Sequence, residues 1–186
     1  MNTVDNQLPF VLKASNINKI QKRNARVDSD FTNSSLNGVD LGDRDSSLNW
    51  NLLKNNNLSG FDFSNANLSL AILRGASLKG ANLCLAILRG TDLQEADLQG
   101  AILSGSILQG ANLRAANLSN AYLLGSNLSH AVLSHANLND AHLLGANLSD
   151  TDLCGATVNN ARFGWNTGIS NRMKVELQLR GAIFED

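Results

Sequence analysis

The chain holds a single proline, Pro9, and two cysteines among 186 residues. With no proline after position 9, the long middle section keeps all of its backbone donors, and a hydrogen-bonded ladder can run through it unbroken. Cys84 and Cys154 lie far apart and imply no disulfide framework; both are expected as unreactive surface thiols. Aromatic residues amount to 5 % and charged residues to 17 %. Fifteen Lys and Arg stand against sixteen Asp and Glu, a formal net charge of −1. That balance lacks the basic footprint of a nucleic-acid binder, so no nucleic-acid partner is expected, and it equally excludes a strongly acidic rod. No apolar run reaches the eighteen residues of a membrane span. The opening MNTVDNQLPFVLKASN has no basic stretch followed by an apolar one, so a cytoplasmic location is expected. Asn-x-Ser triplets, as at Asn67 and Asn117, arise from the repeat described next and are not expected to carry glycans.

What the chain does have is leucine at nearly every fifth position from Leu48 to Leu153, with Phe63, Val158 and Phe163 as substitutes. Two residues before each of these centres sits a small residue, as at Ala66, Ala71, Ala76, Thr91, Ser106 and Ser126. Five residues turn an α-helix by about 500°, so each leucine would land roughly 140° from the last and no apolar face would form. In a flat strand an odd period sends successive leucines to opposite faces. The pattern works if the chain turns a corner once per unit, with the centre and the small residue both inward. Glycine recurs two after the centre, as at Gly75, Gly80, Gly90 and Gly125, where a corner needs it. Such a chain is an all-β solenoid. The number of sides is left open by the period: AYLLGSNLS at 121–129 returns as AHLLGANLS at 141–149, favouring four, whereas LAILRG at 70–75 and 85–90 favours three.

The units ANLSL, ANLCL, ADLQG and ANLRA resemble the A(D/N)LXX signature of pentapeptide-repeat proteins. The resemblance implies a right-handed quadrilateral β-helix with four units per coil, about six or seven coils here, and short helical caps at both termini. At strand spacing, six coils make a rod roughly 30 Å long. The bore should reject Ala116→Leu, and Ser119→Leu, at an outward position, should leave folding intact.

The ends are less regular. Phe31, Leu36 and Leu41 keep the spacing, but Leu48 follows seven residues after Leu41, so an irregular corner is expected near 42–47. Asn51, Asn56 and Phe61 break the small-residue rule. Residues 1–25 read as an N-terminal cap or partly disordered segment, with a short helix over 10–22; residues 26–165 as the repeat; residues 166–186 as a C-terminal capping helix and tail. Ser170 is a natural N-cap, NRMKVELQLR reads as a helix closed by Gly181 with Met173 and Leu177 on one face, and AIF (182–184) restores the small-x-centre pattern. The tail RGAIFED is similar to that of cyanobacterial members of the family.

Chemistry is hard to find in such a repeat. His130, His135 and His142 fall on separate corners or faces, too far apart for a shared metal. Asp92, Glu95 and Asp97 gather on a convex edge that offers no concave site for acid–base work. No nucleophile motif or phosphate loop is present. No enzyme activity, cofactor or metal is expected, and threonine is too rare for an ice-binding ladder. Stacking by twenty would align Lys54, Arg74 and Arg114 with Gln94 between them as a weak basic stripe, flanked by Lys79 and Arg89. It would also set Ile102, Tyr122, Leu124 and Leu144 outward on one face, with His142 in the same column, and Leu85, Ile87 and Ile107 at or past the adjoining corner. An exposed apolar patch of several hundred Å² marks an interaction site. The expected function is a non-catalytic protein–protein interaction module, a regulator or scaffold, with an unidentified protein partner or a homodimer through the apolar face or a rod end. The alternative, which the resemblance also implies, is a DNA-mimic protector of a type II topoisomerase; the near-neutral charge disfavours it.

Overall fold

The computed structural model describes residues 53–185. The expected N-terminal cap, the helix over 10–22, the units of Phe31, Leu36 and Leu41, the irregular corner near 42–47 and the break at Asn51 lie outside the described residues.

Parallel bridges join residues twenty apart along the described part of the repeat: Asn57 to Ser77, Asp62 to Asn82, Asn67 to Ile87, Ile72 to Asp92, and so on to Asn147 with Thr167. Twenty residues are four five-residue units, so the chain returns to its own side after four corners, and the three-sided alternative is excluded. Among the described residues the centres and the small residues of the repeat point inward: Leu58, Leu68, Leu83, Leu118 and Leu143, with Ala71, Ala96 and Ala121, are fully buried. Each such leucine contributes roughly 1.5–3 kcal/mol of burial. Where the small residue is polar, its hydroxyl turns back onto a carbonyl: Thr91 Oγ1 donates to Leu68 O at 2.9 Å and Ser106 Oγ to Leu103 O at 2.7 Å. Phe61, which breaks the small-residue rule, stacks on Phe63 with ring centroids 4.3 Å apart.

The unit 116–120 shows why aspartate and asparagine recur just before the centre. Ala116 N–H donates to Leu113 O across the corner (3.0 Å), Asn117 N–H to Ala96 O of the preceding coil (2.9 Å), Leu118 N–H to Asn137 O of the next coil (2.7 Å), and Asn120 N–H to Asn139 O (3.0 Å). Only the fourth donor, Ser119 N–H, has no backbone acceptor. The Asn117 side chain supplies one, Oδ1 at 3.2 Å, in the Asx geometry these residues favour. Every Asn or Asp in this position from Asn57 to Asp152 makes the same bond. The residue two after the centre takes a left-handed conformation throughout, with φ of 62° at Gly125 and 59° at Asn120, the position of positive φ in a type II turn.

At the C-terminal end Asn166 occupies a small-residue position, and its side-chain amide donates to Leu143 O and Ala146 O. Helix α1, Asn171–Leu179, follows; Ser170 is its N-cap and accepts from Met173 N–H. Leu177 is buried in the core and Met173 packs beside it. The Arg180 guanidinium donates to the carbonyls of Leu153 and Ala156. The chain then lays strand β2, Ile183–Phe184, parallel to strand β1, Arg162–Phe163, and Phe184 stacks on Phe163. The tail thus returns to the solenoid edge as one more rung on a single side.

Candidate functional site

Four outward columns follow from the register. On one side Asp62, Asn82, Ile102, Tyr122, His142 and Arg162 lie one above another, bridge to bridge, with Ile183 paired beyond Arg162. The Asx ladder holds for the first two members, Asn82 Nδ2 donating to Asp62 Oδ1 at 3.1 Å. From Ile102 onward it stops. Ile102, Tyr122 and His142 offer the turn no acceptor of the Asx kind, and the N–H groups of Ser104, Leu124 and Leu144 have no protein acceptor among the described residues. In exchange the Tyr122 and His142 rings stack at 5.0 Å between centroids and 13° between planes. Tyr122 is 48 % exposed and Leu124 55 % exposed; Ile102 is also exposed, and Leu144 and His142 are half-buried.

The other expected patch residues occupy the next side and the corner leading to it. Ile87 and Ile107 bridge one another and are half-buried. Leu85 is exposed in a left-handed conformation, φ 58°, which costs a bulky residue on the order of 1–2 kcal/mol. Its Cδ2 lies 2.7 Å from where a Cβ on Gly105 would be, so the leucine leans over the glycine of the next coil. Leu70 does the same over Gly90. Side chains stacked by twenty thus account for the corner glycines at Gly75, Gly90, Gly105 and Gly155.

Two expectations need correction. Ser119 is not an outward position free to change: it is 9 % exposed and its hydroxyl donates to Asn117 Oδ1 at 2.8 Å, because the residue after the centre folds under the Asx side chain. Helix α1 ends at Leu179, with Arg180 as its C-cap, one residue before the expected end.

Lys54, Arg74 and Arg114 do fall in one column, but Arg74 Nη2 meets Glu95 Oε1 at 2.9 Å, and neighbouring Lys79 meets Asp97 at 3.1 Å. Arg74 and Lys79 are therefore paired with Glu95 and Asp97, two of the acids that sequence reasoning grouped at this corner. His130 faces Asp150, with Nδ1 to Oδ2 at 3.7 Å, and His135 leans over Gly155. Among the described residues no three His, Cys, Asp or Glu side chains gather where they could hold a metal, and no helix is long and apolar enough to cross a membrane. Cys154 is exposed and Cys84 half-buried.

Trp165, which sequence reasoning passed over, is 67 % exposed. It takes the left-handed corner conformation, φ 52°, in the column of Leu85, Gly105, Gly125 and Gly145. The signal was present: Trp165 lies twenty residues after Gly145.

The sequence profile of pentapeptide repeats matches residues 52–90, 71–105, 106–143 and 131–165, together more than half of the chain. The chain belongs to the pentapeptide repeat family. This pentapeptide repeat protein is similar to a family member from the Arabidopsis thaliana thylakoid lumen, at 26 % identity over 74 % of this chain and 86 % of that one, TM-score 0.49. It is similar to another from the cyanobacterium Cyanothece 51142, at 28 % identity over 80 % and 97 % of the two chains, TM-score 0.24. A further likeness is to full-length QnrB1, a plasmid-mediated fluoroquinolone resistance protein, at 17 % identity over 82 % and 99 %, TM-score 0.28. No curated protein matches the chain.

Proposed function

We propose that this pentapeptide repeat protein is a non-catalytic protein–protein interaction module, a regulator or scaffold, working through the face of Ile102, Tyr122, Leu124, His142 and Leu144. The observation that carries the reading is the substitution of the Asx ladder on this face. At three successive rungs a side chain that completes the turn is replaced by one that does not, and the gain is exposed apolar and aromatic surface. The same exchange occurs at Ile72, Ile87, Ile107 and Val132 on other sides, but here it runs through three successive rungs, and that run points to a use outside the fold. Leu85, Ile87 and Ile107 extend the surface across the corner, whereas in the column of Lys54, Arg74 and Arg114 the uncharged Gln94 interrupts the stripe and Arg74 is paired with Glu95. The near-balance of charge argues against a rod that imitates DNA.

The proposed architecture is a right-handed quadrilateral β-helix of about six or seven coils, as the family resemblance implies. Residues 1–25 would form one end piece, 26–165 the repeat, and α1 with the tail a cap over its C-terminal end. Support for the last comes from buried Leu177 and from Arg180 on the terminal carbonyls. The test of function is the double variant Tyr122→Ser/Leu144→Ser. It should melt as the unaltered protein does and lose association in sedimentation and pull-down measurements run side by side. Unchanged association would rule the face out.

A further inference from the structure

The last full coil is finished unevenly. In the rungs below it two backbone groups reach up to the next coil, the carbonyl of the small residue and the N–H of the centre. Together they hold one residue above: Ala131 O accepts from Asp152 N–H at 3.0 Å while Leu133 N–H donates to Asp152 O at 2.8 Å. A third group, the N–H two after the centre, takes a carbonyl further on, as His135 does that of Cys154 at 2.8 Å. At the end of the rod the chain itself supplies most of these partners. Asn166 Nδ2 donates to Ala146 O at 3.0 Å and Leu148 N–H to Thr167 O at 2.8 Å. Ile183 N–H donates to Ala161 O at 2.8 Å, and β2 lies along Phe163. On side 156–160 the Arg180 guanidinium reaches Ala156 O, and Asn160 N–H donates to Gly181 O. On side 151–155 the same three groups, Thr151 O, Leu153 N–H and Gly155 N–H, have no protein partner among the described residues.

Thr151 is 7 % and Leu153 6 % exposed, so this carbonyl and this N–H lie where an unmet polar group is costly. Helix α1 crosses the side, but its backbone groups pair along its own axis, and it offers no strand to complete the rung. It leaves a cavity of about 270 Å³ instead, with Thr151, Asp152 and Leu153 on one wall and Met173, Glu176 and Arg180 on the other. The walls select against an anion. Asp152 and Glu176 bring two carboxylates, while Arg180 is engaged by the carbonyls of Leu153 and Ala156 and lies 3.6 Å from Glu176. An acceptor and a donor placed to hold the N–H and C=O of one residue are the edge with which an extended backbone pairs. The inward positions on either side of that residue have little room, because Leu177 already stands in the core there.

We infer that the 151–155 edge, beneath α1, binds a short extended segment of a partner protein by strand addition, with a basic residue above Asp152 and small residues on either side of it. The site is at the rod end, separate from the Tyr122 face, and neither reading depends on the other. The test uses the full chain, labelled for amide NMR, and the capped peptide Gly-Ala-Lys-Ala-Gly. In the free protein Leu153 N–H should exchange with solvent about a hundredfold faster than Leu133 N–H, or more. The peptide should shift the Leu153 and Gly155 amide signals with a Kd on the order of 100 μM and slow their exchange. Methylating the backbone nitrogen of its lysine removes the donor to Thr151 O and should weaken binding about tenfold or more; glutamate in place of the lysine should do the same. Glu176→Gln, an exposed change, should weaken the lysine peptide about three- to fivefold with the melting temperature nearly unchanged. Leu153 N–H exchanging as slowly as Leu133 N–H in the free protein overturns the inference, as does equal binding of the methylated peptide or indifference to Glu176→Gln. So does the absence of binding up to about 5 mM, in which case water alone fills the cavity.

Discussion

Units 116–120 and 121–125 are neighbours in sequence and share the same backbone circuit, yet they face the solvent differently. In the first, Asn117 closes the turn onto Ser119 N–H, and its amide donates to Asp97 Oδ1 at 3.0 Å while its Oδ1 accepts from Asn137 at 3.1 Å. In the second, Tyr122 does none of this, leaves Leu124 N–H to solvent, and stacks on His142. Beneath them the cores are the same: Leu118 and Leu123 are equally buried. The fold is thus indifferent to what stands before the centre as far as packing goes, and the outer layer alone separates a self-satisfied polar side from an apolar one. What a side does is written in the layer that the core does not constrain.

The comparison breaks hardest if the cores are not equivalent. Leu118→Ala under the polar side and Leu123→Ala under the apolar side should each cost about 2–5 kcal/mol, with closely similar melting temperatures in thermal unfolding. A large difference between them would mean that the two sides differ below the surface as well. Next in size is Asn117→Ala, which strips an acceptor from Ser119 and interrupts the ladder between Asp97 and Asn137; a loss of about 1–3 kcal/mol by denaturant unfolding is expected. Gly125→Ala keeps the space but forces a Cβ into the left-handed region, at about 1 kcal/mol, and Gly125→Asn should cost less. Smallest is Arg74→Ala. Its partner Glu95 is exposed, so the change should stay within about 0.5 kcal/mol and shrink further in salt.

Much of this was legible before any coordinates. The five-residue period places each centre and each small residue inward because the interior admits only one arrangement, and Leu58 through Phe163 follow it. Ser170, Met173, Leu177 and the small-x-centre pattern of residues 182–184 were equally readable, since capping and face periodicity are local; the stacking of Phe184 on Phe163 was not. Ser119 was not. Its burial depends on Asn117 folding back over it, a bond between a side chain and a backbone donor that no hydrophobic pattern reports. The pairing of Arg74 with Glu95 was missed for a related reason: the two are twenty-one residues apart and meet only across neighbouring coils. Trp165 sat where the repeat fades, and its place becomes visible once the corner column is traced through Gly145.

On the proposed function, Tyr122 and its neighbours give up the turn bond of the repeat for surface that binds. Tyr122→Asn tests it most directly, by restoring the family's own letter. Denaturant unfolding and association should be measured on the same sample. The expected variant is about 0.5–1 kcal/mol more stable, with Leu124 N–H newly protected from hydrogen exchange and binding lost. A variant that binds as before, or that unfolds more easily than the original, would contradict it.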